Sequence, residues 1–206
     1  KQKLNADCSI LKKLYKDTLI YKIMLDPSGQ YAESNPDSWK FAEIRTLTEA
    51  KEIIMKVYNI SNGIHQVVYL IGWQMGGHDF NYPYPHKLPF NPKCGTREEF
   101  NSLKEELKKY NVELSLHDNF DDAYLSDEYK LNPDLLCHDE TGKLWKGWFW
   151  AGGMSYILDP KAYLESGEVL ERINTMISDY GIEKTYHLDV LSSEVRRYNF
   201  NPNNLL

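Results

Sequence analysis

Residues 64–73 read IHQVVYLIGW, and this stretch decides the fold. Val67, Val68, Tyr69, Leu70 and Ile71 follow one another without a polar break, so the run is too continuous to keep one face in water. A strand that is apolar on both faces belongs in a parallel sheet covered on both sides. Upstream, residues 18–25 (TLIYKIML) form a β-branched and aromatic run that stops at the turn cluster Asp26-Pro27-Ser28-Gly29, which predicts a first strand. Between the two strands, Ala50, Ile53, Ile54, Val57 and Tyr58 recur at helical spacing, with Thr48 as the expected cap and Asn62-Gly63 as the stop.

The same unit repeats downstream. After a Gly-, Pro- and Tyr-rich loop over residues 76–95, Thr96-Arg97-Glu98-Glu99 has capping-box spacing and opens a helix striped by Phe100, Leu103, Leu107 and Tyr110. Residues 112–117 (VELSLH) predict a third strand, followed by a long aromatic excursion over residues 119–158. Asp159-Pro160 then opens one further helix, lined by Val169, Leu170, Ile173, Met176 and Ile177 and closed at Tyr180-Gly181. Residues 184–190 (KTYHLDV) predict strand four. Helices return to strands through short loops, and strands enter helices through long ones. That asymmetry predicts a (β/α) barrel with its functional face at the carboxyl ends of the strands. Eight strands at this spacing need roughly 350 residues. The 206 residues are therefore expected to form about the first four βα units, the N-terminal half of a TIM-like barrel in one domain, with the remainder of a longer chain as partner. A complete small domain with an open four-stranded sheet is the alternative.

Composition narrows the function. With 24 Lys and Arg against 30 Asp and Glu, the formal charge of -6 gives no basic field for a phosphate backbone, so nucleic acid is not an expected partner. Mean hydropathy is -0.57, and no run of eighteen apolar residues could span a membrane. Cys8, Cys94 and Cys137 lie far apart without a C-x-x-C pair, which predicts free thiols. The 15 Tyr and 5 Trp against 7 Phe suit surfaces that bind amphipathic ligands such as sugars, although a Tyr-rich core would also use them. The chain begins at Lys1 with no Met, so a signal peptide cannot be read from it.

Polar residues gather where the strands should end. Gly76-Gly77-His78-Asp79 follows strand two, His117-Asp118-Asn119 ends strand three with Asp121-Asp122 beyond, and His187-Leu188-Asp189 ends strand four. Each alone reads as a cap or a core-edge His; their recurrence at successive strand ends points to a site. Carboxylates beside aromatic platforms serve glycoside hydrolysis, whereas a His/Asp cluster could hold a metal that activates water. The metal reading lacks an H-x-H on any strand and an H-E-x-x-H on any helix. Trp145, Trp148 and Trp150 form a sugar platform or a packed loop anchor. Glu194 is a possible carboxylate partner for Asp189 or a solvated loop acid.

The stretch over residues 69–79 (YLIGWQMGGHD), the following Tyr82-Pro83, the stretch over residues 116–124 (LHDNFDDAY) and Leu188-Asp189-Val190 together resemble the catalytic barrel of α-N-acetylgalactosaminidases, glycoside hydrolase families 101 and 129. The resemblance implies a retaining hydrolase of α-linked GalNAc or a related galactoside, without organic cofactor or metal, and expected to be extracellular or periplasmic. It implies Asp189 as nucleophile and puts His78, Asp79, His117, Asp118 and Asn119 at substrate-holding positions. Trp73, Tyr82 and Trp150, whose aromatic faces can stack on a pyranose ring, and His187, at the end of strand four, complete the substrate-binding residues expected from the sequence. The acid/base Glu of that family belongs to a following strand. A carbohydrate-binding domain without catalysis is the second expectation, and a metal-dependent hydrolase the third.

Overall fold

A computed structural model describes residues 15–27, 43–124, 131–150, 153–190 and 198–202. Along the chain run β1 (Thr18–Met24), α1 (Leu47–Ile60), β2 (His65–Ile71), α2 (Arg97–Lys108), β3 (Val112–Asn119), β4 (Asp122–Tyr124), β5 (Lys146–Trp150), β6 (Gly153–Ile157), α3 (Pro160–Glu165), α4 (Glu168–Ser178) and β7 (His187–Asp189). Strands β1, β2, β3 and β7 form one sheet in that order, and every neighbouring pair is parallel. Together with the helices between them, they form part of a (β/α) barrel.

Strand β2 sits inside this sheet with Val67, Val68 and Leu70 fully buried, as its unbroken apolar run requires. Strand β1 stands first in the order, and its Ile20 is 57% exposed. Helix α1 presses Leu47, Ala50 and Ile54 on the sheet, while α2 contributes Phe100, Leu103 and Leu107 to the same core. The cap of α1 is Thr46, two residues before the expected Thr48: the Thr46 hydroxyl accepts from the Glu49 amide, and Glu49 reaches back to the Thr46 N–H. The Thr96–Glu99 box forms as expected.

Two expectations need correction. The helix expected from Asp159 to Tyr180 is two helices, because Gly167 takes φ 82°, a left-handed conformation that ends α3. The buried face of α4 is also rotated from the expected stripe: Arg172 and Met176 point inward, whereas Leu170 and Ile177 are exposed. The excursion before α3 holds a three-stranded antiparallel sheet, ordered β4-β6-β5. It borders a second core of Phe120, Ala123, Leu135, Leu136, Leu158 and Tyr163. At Gly147 a Cβ would overlap the Ser155 hydroxyl, so the lack of a side chain lets β5 close on β6.

Candidate active site

The site lies at the carboxyl edge of the parallel sheet, where a sharp turn leaves β2. Gly72 has φ 70°, and a Cβ there would overlap the Asp26 carbonyl oxygen, so β2 can bend against the end of β1 only at glycine. The same Asp26 carbonyl accepts the His78 amide at 2.9 Å, and the Asp26 side chain accepts from Asn91 at 2.7 Å. The loop that carries His78 and Asp79 is thereby tied to two neighbouring segments. Asp79 itself sits at φ 53°, a left-handed conformation in which Asp is among the better-tolerated side chains.

Strand alternation selects what faces this loop. In the parallel register His117 pairs with His187 and Asn119 with Asp189, so these four residues share one face of the sheet. His117 and His187 stack with centroids 5.0 Å apart, and their Nδ1 atoms lie 3.1 Å apart. The His78 ring meets His117 edge-on at 5.4 Å, and its Nε2 lies 3.2 Å from Asp79 Oδ2. Asp189 is partly open, with 41% of its side chain exposed and Lys22 Nζ 3.8 Å from its Oδ1. Thus His78, Asp79, His117, His187 and Asp189 come together.

Their electrostatics follow from burial. Desolvation lowers His78 to about 4 and His117 to about 2, and it lowers His187 as well, so the rings are neutral donors and acceptors near pH 7. Burial raises Asp79 to about 7, helped by the negative charges of Asp122 and Asp189. Asp79 therefore exchanges between acid and carboxylate near neutrality. One ligand atom from each of His117, His187 and Asp189 lies within 4.8 Å of the others, close enough to share a cation.

Four expected substrate contacts, Asp118, Asn119, Trp73 and Tyr82, are buried. Asp118 is fully buried and points to the opposite face from His117. Its carboxylate accepts from Arg172 Nε at 2.9 Å, from Arg172 Nη2, from the Tyr186 hydroxyl and from the Asn119 amide. That leaves it no opening towards a sugar. Asn119 shares the site face but is also buried, with its side chain holding the turn into β4: Oδ1 accepts the Asp121 and Asp122 amides, and Nδ2 donates to Asp122. Trp73 is fully buried against Phe90 and Tyr180, and its Nε1 donates to the His117 carbonyl at 2.7 Å, so it fixes the end of β3 from below. Tyr82 is buried beneath Tyr124, and its hydroxyl accepts from Gln74. Trp150 ends β5, and Trp148 on the same strand is 62% exposed. Glu194 and Cys8 lie outside the described residues.

Sequence reasoning missed Lys22 and Arg172. Lys22 was legible as the one cation near the end of the first strand. Arg172 was legible as an arginine three residues after Val169 and four before Met176, on the helix face that has to be buried. It also lies 4.2 Å above the Phe120 ring and 5.3 Å from Tyr82.

A parallel βα sheet with its polar residues at the carboxyl strand ends is the arrangement of (β/α)-barrel proteins, whose sites are built there. The chain belongs to the endo-α-N-acetylgalactosaminidase family, glycoside hydrolase 101, whose model matches residues 38–203. Its fold is similar to the ligand-free α-N-acetylgalactosaminidase of Bifidobacterium bifidum, with a TM-score of 0.76 at 18% identity over 92% of this chain and 31% of that one. The same enzyme in its GalNAc complex gives 0.71 at 19% identity, over 91% of this chain and 29% of that chain. An α-amylase of Geobacillus thermoleovorans complexed with acarbose is more distant, at 0.55 and 17% identity over 86% and 41%. The chain spans less than a third of the length of the first two structures.

Proposed function

We propose that this chain supplies the nucleophile side of a retaining glycoside hydrolase that acts on α-linked GalNAc or a related galactoside. The observation that carries the reading is Asp189: a half-open carboxylate at the end of the fourth parallel strand, on one face with His117 and His187. Family membership and the GalNAc complex of a structural relative support the sugar class.

In this reading an Asp189 oxygen attacks the anomeric carbon as the bond to the leaving oxygen breaks, forming a glycosyl ester. The leaving oxygen takes its proton from an acid on a following strand, as the family resemblance implies. Water then hydrolyses the ester, and the same acid/base group accepts the water's proton. Lys22 gives the Asp189 carboxylate its counter-ion until the sugar arrives. His78 and His117, kept neutral by burial, exchange hydrogen bonds with hydroxyls without adding charge. Asp79 donates or accepts according to which form is present near neutral pH.

The test is hydrolysis of an aryl α-GalNAc by the full-length protein and its Asp189→Asn variant. Loss of nearly all turnover, with sugar affinity within a few-fold, is the expected result, because the lost step is covalent. Substantial turnover in the variant overturns the nucleophile. Sugar binding without turnover in the unaltered protein would instead make the chain a carbohydrate-binding module.

A further inference from the structure

We propose that His117, His187 and Asp189 form a binding site for one divalent transition-metal cation of the zinc, copper or nickel type. A ligand atom from each residue lies within 4.8 Å of the other two. The two Nδ1 atoms stand 3.1 Å apart, and a tetrahedral cation with metal–nitrogen bonds of about 2.0–2.1 Å holds two nitrogens roughly 3.4 Å apart. Closing around an ion requires the two rings, now within 18° of parallel, to turn until their in-plane Nδ1 lone pairs converge on it. Both His come from paired positions on adjacent strands, so the sheet register itself sets their spacing. A second observation points the same way. His117 is buried, and among the described residues the hydrogen-bond partner given for its Nδ1, the atom on the cation side, is the imidazole of His187.

The donor set chooses the cation. Two imidazoles and one carboxylate suit zinc, copper and nickel, whereas calcium and magnesium ask for oxygens. Three protein ligands leave the remaining position for water on the open side, where Asp189 reaches solvent. Coordination through both Nδ1 lone pairs requires that the proton between the rings leave that position. It reappears on Nε2 of the ring that carried it, so the rings stay neutral and no net proton is released. Lys22 opposes the site, since its ammonium lies 3.8 Å from the Asp189 carboxylate that the cation would use.

A cation here would occupy the carboxylate assigned as nucleophile. Inhibition of turnover by zinc therefore rests on the functional reading above, but the binding itself does not. Calorimetric titration of the metal-stripped full chain with zinc chloride, with calcium chloride as control, tests it. One zinc per chain is expected, with calcium weaker. Asp189→Asn and His187→Gln should each weaken zinc by about tenfold or more. Lys22→Met should tighten it about threefold, the scale of one exposed ion pair. Lys22 is partly exposed, so this variant still reports on the cation if His187→Gln fails to fold. Absence of stoichiometric zinc binding, calcium binding as tight as zinc, or affinity unmoved by both Asp189→Asn and Lys22→Met overturns the site. A chain that binds zinc but hydrolyses no glycoside keeps the cation site and sinks the hydrolase reading. One that hydrolyses the glycoside and ignores zinc does the reverse.

Discussion

Asp118 and Asp189 end neighbouring strands, yet they have opposite surroundings, because successive residues of a strand face opposite sides of the sheet. Asp189 shares its face with His117 and reaches solvent, whereas Asp118 enters the helix layer and meets Arg172. An assignment from the motif His117-Asp118-Asn119 alone treats three consecutive residues as one group, which a strand cannot do. Period-two alternation was available in the sequence and separates Asp118 from His117; the partner on α4 was not. Asp118→Asn should therefore act on stability before it acts on sugar. It leaves Arg172 buried and unpaired, which costs about 3–5 kcal/mol, readable as a lower urea midpoint. Asp118→Leu combined with Arg172→Met should be less destabilised than either change alone, since the pair is removed together. Equal or greater loss in the double variant would show that the ion pair is not what Asp118 contributes.

At the level of elements, the caps show how much a local signal fixes. Both long helices at the front of the sheet open on a Thr-x-x-Glu box, at Thr46–Glu49 and Thr96–Glu99, and both boxes close in both directions. Thr96-x-x-Glu99 was readable from its spacing. At the first helix, Thr48 lies on the exposed side of the first turn and competes in the sequence with Thr46 for the same role. Replacing Thr46 or Thr96 with Ala should cost about 1 kcal/mol each, while Thr48→Ala should leave the thermal midpoint nearly unchanged. A larger loss at Thr48 than at Thr46 would place the cap where the structure does not. The antiparallel strands β4, β5 and β6 left no comparable trace. They are three to five residues long, and although β5 and β6 pair as near neighbours in sequence, β4 pairs with β6 more than thirty residues away, which nothing local announces.

Across the whole molecule, the order of strands and helices and the side on which the long loops lie were both legible, because each depends on runs of apolar residues and on loop length. The gathering of His78, Asp79, His117, His187 and Asp189 at one rim was legible for the same reason: parallel strands all end on that side. Their burial was not legible, and it sets the pH response. His78, His86 and His117 are lowered by desolvation to about 4, 3 and 2. In the unfolded chain they bind protons near pH 6.5, so between pH 6.5 and 4 the unfolded state holds protons that the folded state refuses. Stability must fall as pH drops through that window. Asp79 works in the opposite sense: raised to about 7, it holds its proton in the folded state where the unfolded chain has released it, and so stabilises on acidification between about 7 and 3.8. His187 is lowered in the same sense, so the histidines outnumber the one aspartate and the unfolded state binds more protons across this window. The thermal midpoint is expected to fall from pH 7 to pH 4.5. In Asp79→Asn, where Asn also tolerates the left-handed backbone, the compensating proton is gone and the fall should be steeper. A midpoint that rises on acidification, or an unchanged slope in the variant, would mean that water reaches these rings and this carboxyl in solution.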